Sequence, residues 1–305
     1  MANPFELPEG KRRAYQSAKR LEWVSLGFNS SIIVVMYLPM GSSQAMRTAW
    51  MEDLLAPIAP VGFLITTRIQ SRPPNHEFPY GYHRCVSIVF LIAAAALFAM
   101  GASLLYVAIE SLISAGHPTV GTVEIFGRTV WMGWLMIAAL LYSAIPLVIL
   151  GRMKIPIARE LHDKALHADA EMNRADWLTA VAAMVGIVGL GFGWWWVDGA
   201  AAAFISVEVL RDGFRNLKIA VFDLMDKAPT TVSEDRRDPL AARVESSVRK
   251  LEWVEDAAVR LREEGHVYCG EVFVVPRHGA NLLSATEKVH ELATGLDWRL
   301  HMISR

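Results

Sequence analysis

The sequence predicts an α-helical membrane protein: six transmembrane helices followed by a small cytoplasmic α+β domain. Three observations predict it. Hydrophobic residues make up 53% of the 305-residue chain, against ~45–50% in an ordinary soluble domain. The excess lies in long, nearly uncharged runs before residue 210, and the remainder reads as a charged globular sequence. Basic residues gather in alternate loops between those runs, as expected when alternate loops face the cytoplasm.

A bilayer core needs roughly 20 mostly apolar residues per helix. Six stretches qualify, at 22–40, 48–67, 86–113, 130–150, 168–191 and 194–210. The start of the chain is read as no cleavable signal, because the basic KRRAYQSAKR leads into a long apolar run without an A-x-A-like cleavage site. Lys11, Arg12, Arg13, Lys19 and Arg20 precede the first span. Arg68, Arg72 and Arg84 lie between the second and third, and Arg152, Lys154, Arg159 and Lys164 between the fourth and fifth. The opposite loops hold only Arg47 and Arg128. Both termini are therefore placed in the cytoplasm of an integral, multi-pass membrane protein, which in a prokaryote means the inner or plasma membrane. The expected division is a cytoplasmic segment at 1–21, a membrane domain at 22–226 and a cytoplasmic domain at 227–305. Between the fifth and sixth spans, GFGWWWVD reads either as an interfacial tryptophan anchor or as an aromatic glycine turn.

Charge and cysteine content exclude several classes. Thirty Lys and Arg against thirty-one Asp and Glu leave a formal charge of −1, which rules out a nucleic-acid binder relying on bulk charge. Cys85 and Cys269 cannot by themselves build a disulfide framework or a cysteine zinc site. No nucleophile–base pair or glycine-rich phosphate loop points to an enzyme.

Ionisable residues inside spans are costly and mark function by default. The fifth span reads HDKALHADAEMNRADWLTA. At about 100° per residue, His162, Asp169, Asn173 and Asp176 fall on one face, with His162 at the loop end. Two carboxylates and an amide oxygen on one stripe offer oxygen ligands to a divalent cation. A plainer alternative pairs these residues with Lys164 or Arg174 at a helix start. In the second span Glu52 and Asp53 precede Pro57 and Pro60, and each proline is expected to free the carbonyl four residues earlier, at Asp53 and Ala56. Adjacent carboxylates point about 100° apart, so one of the two faces the site. Here the alternative is a kinked helix with Glu52 paired to Arg47. Glu110, Asp198, Glu208 and Asp212 read as caps or packing ion pairs, and Asn29 as an interhelical hydrogen bond.

After residue 238 the pattern changes. PLAARVESSVRKLEWV is helical; DAAVRLREE and HVYCGEVFVV read as strands across a Glu-Gly-His turn; ANLLSATEKVHELATGL is an amphipathic helix and DWRLHMIS a last strand. The order α-β-β-α-β gives a small ferredoxin-like sheet with helices on one face. His266, His278, His290 and His301 match no zinc-finger spacing and read as surface histidines or a peripheral metal site.

Three stretches resemble the cation diffusion facilitator family: FPYGYHR at 78–84, ADAEMNRADW at 168–177, and DGAAAAFISVEVLRDGFRNLKIAVFDLMD at 198–226. The resemblance covers nearly the whole chain. It implies a homodimeric divalent-cation exporter that exchanges metal for protons across the lipid bilayer. It also implies a central site of two ligand pairs, each four residues apart, from the second and fifth helices. Those pairs fall on Glu52 and Ala56, and on Met172 and Asp176, so the usual ligand is missing at Ala56 and Met172. Asp53, and Asn173 or Asp169, stand nearby as substitutes. The expected metal residues are thus Glu52, Asp53, Asp169, Asn173 and Asp176, with Asp169 a supporting group or gate. Without His or Cys they favour Mn²⁺, Fe²⁺ or Mg²⁺ over Zn²⁺, while a Met172 thioether would pull toward softer metals. The alternative is a non-transporting relative acting as a metal sensor or heterodimer partner.

Overall fold

The computed structural model describes residues 9–70, 72–79, 81–114, 119–125, 127–232, 236–265, 267–277 and 282–304. Helix α1 runs over Glu9–Tyr37, α2 over Gln44–Leu55, α3 over Ile58–Gln70 and α4 over Cys85–Ile113. A hairpin of β1 (Thr122–Ile125) and β2 (Arg128–Trp131) follows, then α5 (Met132–Leu161), α6 (Lys164–Gly191) and α7 (Trp195–Leu224). The hairpin lies where the sequence reading began its fourth span, and Gly127 turns it at φ +74°.

Four stretches are long and apolar enough to cross a bilayer: Gln44–Gln70, Cys85–Ile113, Met132–Leu161 and Lys164–Gly191. Helices α1 and α7 are 29 and 30 residues long but fall outside that group; α1 opens on two basic clusters, and α7 carries charges from Glu208 onward. The helices overrun the expected spans. Lys154, expected in a loop, lies inside α5, and α6 begins at Lys164 rather than Ala168.

Local chemistry sets the breaks. Ser43 caps α2 by accepting the Met46 N–H, and Asp198 at the head of α7 takes the Ser43 hydroxyl (2.6 Å) and the Gln44 N–H (2.6 Å). That fits the cap reading of Asp198. Pro57 lacks an N–H and parts α2 from α3. The carbonyl of Asp53 is not left open as expected, because it accepts the Ala56 N–H at 3.3 Å in a tighter turn. Pro60 falls in the first turn of α3, where an N–H has no helical partner anyway.

The membrane core centres on Ile32 and Met36 of α1, Met46 of α2, Met136, Leu140 and Leu147 of α5, Ile187 of α6 and Ile205 of α7. Helices α4 and α7 meet backbone to backbone. A Cβ at Gly101 would lie 2.6 Å from the Leu210 nitrogen, and one at Gly213 2.5 Å from the Phe98 nitrogen, so small residues are what allow the approach. Asn29, expected to bond another helix, is buried with its Oδ1 unpartnered among the described residues.

The C-terminal part runs α8 (Leu240–Val248), β3 (Val254–Glu264), β4 (Val267–Pro276), α9 (Leu282–Leu296) and β5 (Leu300–Ser304). The order is α-β-β-α-β, with β3 and β4 antiparallel and β4 and β5 parallel. Leu240, Val244 and Val248 of α8 pack with Leu261, Tyr268, Ala293 and Leu300 in its core. Of the C-terminal histidines, His266 and His278 and the side chain of His301 lie outside the described residues; His290 is on α9 with its Nδ1 unpartnered.

Candidate functional site

Glu52 and Asp53 sit in the last turn of α2, just before its break. Asp169, Asn173 and Asp176 stand at i, i+4 and i+7 on α6, one face of the helix. All five line one cavity of about 100 Å³, so neither carboxylate of the adjacent pair is turned away. That volume holds several waters or a partly hydrated ion. His162 is not on this stripe: it ends α5 in the left-handed conformation at φ 54°, and Asp163 then caps α6 by accepting the Leu166 N–H.

The five residues are held unequally. Asp53 accepts from the Ser143 hydroxyl at 3.2 Å, and Glu52 bonds Thr179 rather than Arg47. Among the described residues Glu52, Asp53 and Asp176 make no ion pair. Asp169 does: its Oδ2 is 2.5 Å from the Nζ of fully buried Lys154, which also lies 3.0 Å from Glu22 Oε1. Asn173 donates its amide N–H to Asp169 at 3.3 Å. Met172 faces inward, with Asn216 Nδ2 4.0 Å from its sulfur. Glu52, Met172 and Asp176 also line a second pocket of about 40 Å³, shared with Thr179, Glu208 and Asp212. They therefore stand between the cavity and the charged face of α7. Among the described residues no three His, Cys, Asp or Glu side chains form a ready-made metal cluster.

Glu22, Lys154 and Asp212 were not singled out as site residues from sequence. Lys154 was counted as a loop charge because the apolar run ends near residue 150, and Glu22 as the edge of a span. Asp212 carried a usable signal, since Glu208 and Asp212 are one helical turn apart on α7.

Where α5 ends and α6 begins, a second polar cluster joins the C-terminal part. Nε2 of His162 is 2.6 Å from the Tyr268 hydroxyl, and Arg299 lies 3.1 Å from its Nδ1 and 2.7 Å from Asp238. Burial and the Arg299 guanidinium push the His162 pKa down to about 4. Lys164, which does not pair with the α6 stripe, sits 2.7 Å from Glu263; burial carries that carboxyl up to about 7 against the pull of the ammonium. Arg84 meets Asp226 at 2.6 Å and Glu264 at 3.4 Å.

Comparison with known proteins agrees with this architecture. The family model for the cation efflux transmembrane domain matches residues 23–225. The manganese efflux system protein MneS of Bacillus subtilis is 27% identical over 184 residues, covering 60% of this chain and 59% of that protein. An uncharacterized transporter of the same organism, YdbO, is 27% identical over 198 residues, 64% of each chain. The zinc transporter ZitB of Yersinia pseudotuberculosis is 26% identical over 195 residues, 60% of this chain and 58% of that protein. The chain spans about three fifths of the length of these relatives.

Proposed function

Because the chain belongs to the cation diffusion facilitator, or cation efflux, family, we propose that it exports a divalent metal cation from the cytoplasm in exchange for protons. The observation that carries this reading is the convergence of Glu52, Asp53, Asn173 and Asp176 on one cavity inside the helical bundle. Three carboxylates without a counter-cation among the described residues are what a carrier of positive ions needs and what a purely structural core avoids. We read Glu52, Asp53 and Asp176 as the ligands and Asn173 as a neutral one. Hard cations keep part of their water shell, and the cavity leaves room for it. Carboxylates must be deprotonated to bind metal. Each ion bound releases protons, and each ion discharged on the far side lets the carboxylates take up protons again.

The reading includes six spans, α1, α2 with α3, α4, α5, α6 and α7, both termini in the cytoplasm, and a homodimer. Oxygen donors favour Mn²⁺, Fe²⁺ or Mg²⁺ over Zn²⁺, and the relative MneS is a manganese efflux system protein. Ala56 and Met172, where ligands are missing, favour a second reading, a non-transporting sensor or heterodimer partner. A metal panel in proteoliposomes containing only this chain, with internal pH followed, separates the two. Uptake of Mn²⁺ coupled to proton movement supports the exporter; no uptake of any divalent cation removes it.

A further inference from the structure

Lys154 is a buried charged residue of the bundle whose chemistry the transport reading leaves unused. It is fully buried, and its ammonium bridges Glu22 of α1 and Asp169 of α6 at 3.0 and 2.5 Å. Glu22 is 1% exposed and Asp169 8%. Both carboxylates line the same cavity as Glu52, Asp53 and Asp176. A surface pair at such distances would mean little. A buried ammonium between two buried carboxylates is different, because losing one partner leaves an uncompensated buried charge.

An ammonium and a divalent cation compete for the same carboxylate oxygens. Asp169 would bring a fourth carboxylate to the cavity, but its Oδ2 is taken by a cation tied to the backbone that cannot leave. The same oxygen accepts the Asn173 amide N–H at 3.3 Å. That bond fixes which end of the Asn173 amide faces Asp169 and leaves the carbonyl oxygen to the cavity. We infer that Lys154 is a positioning residue, a tethered cation that withholds Asp169 from the metal and presents the Asn173 oxygen in its place. This rests on the transport reading and deepens it: Lys154 sets how tightly the cargo is held. The number of charged ligands tunes the affinity of an oxygen site, and a carrier that binds too tightly releases slowly.

The test uses the full-length chain and Mn²⁺ as probe, measured by equilibrium binding in detergent and by uptake in proteoliposomes. Lys154→Met alone leaves two unpaired carboxylates buried and can fail at folding. The paired substitution Lys154→Met with Glu22→Gln keeps the net charge of the triad at −1 while freeing Asp169. That variant is expected to bind Mn²⁺ about tenfold tighter or more, with lower KM and lower kcat. Adding Asp169→Asn should return the affinity toward that of the parent, a reversal that lost helix packing would not produce. Unchanged or weaker binding by the folded paired variant overturns the inference and leaves the transport reading intact. Failure of the parent chain to bind any divalent cation overturns both.

Discussion

The cavity and the junction with the C-terminal part both gather charge and use it in opposite ways. At the junction the described carboxylates are matched: Arg84 with Asp226, Lys164 with Glu263, Arg262 with Glu264, Arg299 with Asp238 and Asp297. In the cavity Glu52, Asp53 and Asp176 make no ion pair among the described residues, where Thr179 donates to Glu52 and Ser143 to Asp53. Charges that match each other hold pieces of a protein together. Charges left unmatched in a low-dielectric interior are expensive and persist where an outside partner compensates them. The junction therefore reads as a fastening and the cavity as a binding site, with the Glu22–Lys154–Asp169 triad a fastening built into the edge of the site.

The contrast is broken most directly by removing one group from each side. Asp176→Asn and Glu52→Gln should each lower Mn²⁺ uptake by about a hundredfold or more, the scale at which metal sites lose function when their ligand shell is disturbed. Thermal stability should hold or rise, because each substitution removes a charge that has no counter-ion among the described residues. Both variants transporting at the parental rate would put the site elsewhere. Arg299→Ala should do the reverse. It strands Asp238 and Asp297, and breaking a buried pair costs about 3 kcal/mol. Its melting temperature should fall well below the parent's, while the Mn²⁺ affinity of the protein still folded stays near the parental value. Loss of affinity without loss of stability would make the junction part of the site.

How far the sequence disclosed the two regions follows from the range of the interactions that make them. The α6 stripe was legible because helical periodicity is local: Asp169, Asn173 and Asp176 needed only their spacing. The C-terminal element order was legible for the same reason. The junction was not, because His162, Tyr268, Asp238 and Arg299 lie up to 137 residues apart, and no spacing rule links them. Lys154 was misplaced because hydropathy marks where apolar residues stop, whereas a helix stops where its backbone is capped; α5 continues to Leu161 and ends at a left-handed His162. The carbonyl of Asp53 was expected to be open because the loss of a donor at Pro57 is visible in sequence. The tighter turn that satisfies it is a product of three dimensions.

A smaller effect sharpens the chemistry of the cavity. Met172 lines both pockets, so Met172→His should place an imidazole beside Asp176. Imidazole suits borderline metals better than a thioether does. The ratio of Zn²⁺ to Mn²⁺ affinity is expected to rise by roughly tenfold, read by competition binding on the purified chain. Zn²⁺ already bound more tightly than Mn²⁺ by the parent, and lost in Asp176→Asn, would refute the preference for hard cations.

The smallest expected effect is a pH dependence confined to the junction. His162 is held at about 4, below its ordinary 6.5, so its contribution is fully present above 6.5 and is lost as pH falls through 4. Glu263 is held at about 7, above its ordinary 4.5, so its contribution is full below 4.5 and disappears as pH rises through 7. The two slopes oppose each other between pH 4.5 and 6.5 and largely cancel at the junction. His162→Gln removes the first slope, so its melting temperature relative to the parent's should fall as pH rises from 4.5 to 6.5. Glu263→Gln removes the second, and its melting temperature relative to the parent's should climb over the same range. Two variants with parallel profiles would mean that neither group titrates where the junction holds it. The matched charges there would then fasten the domain without making the fastening sensitive to pH.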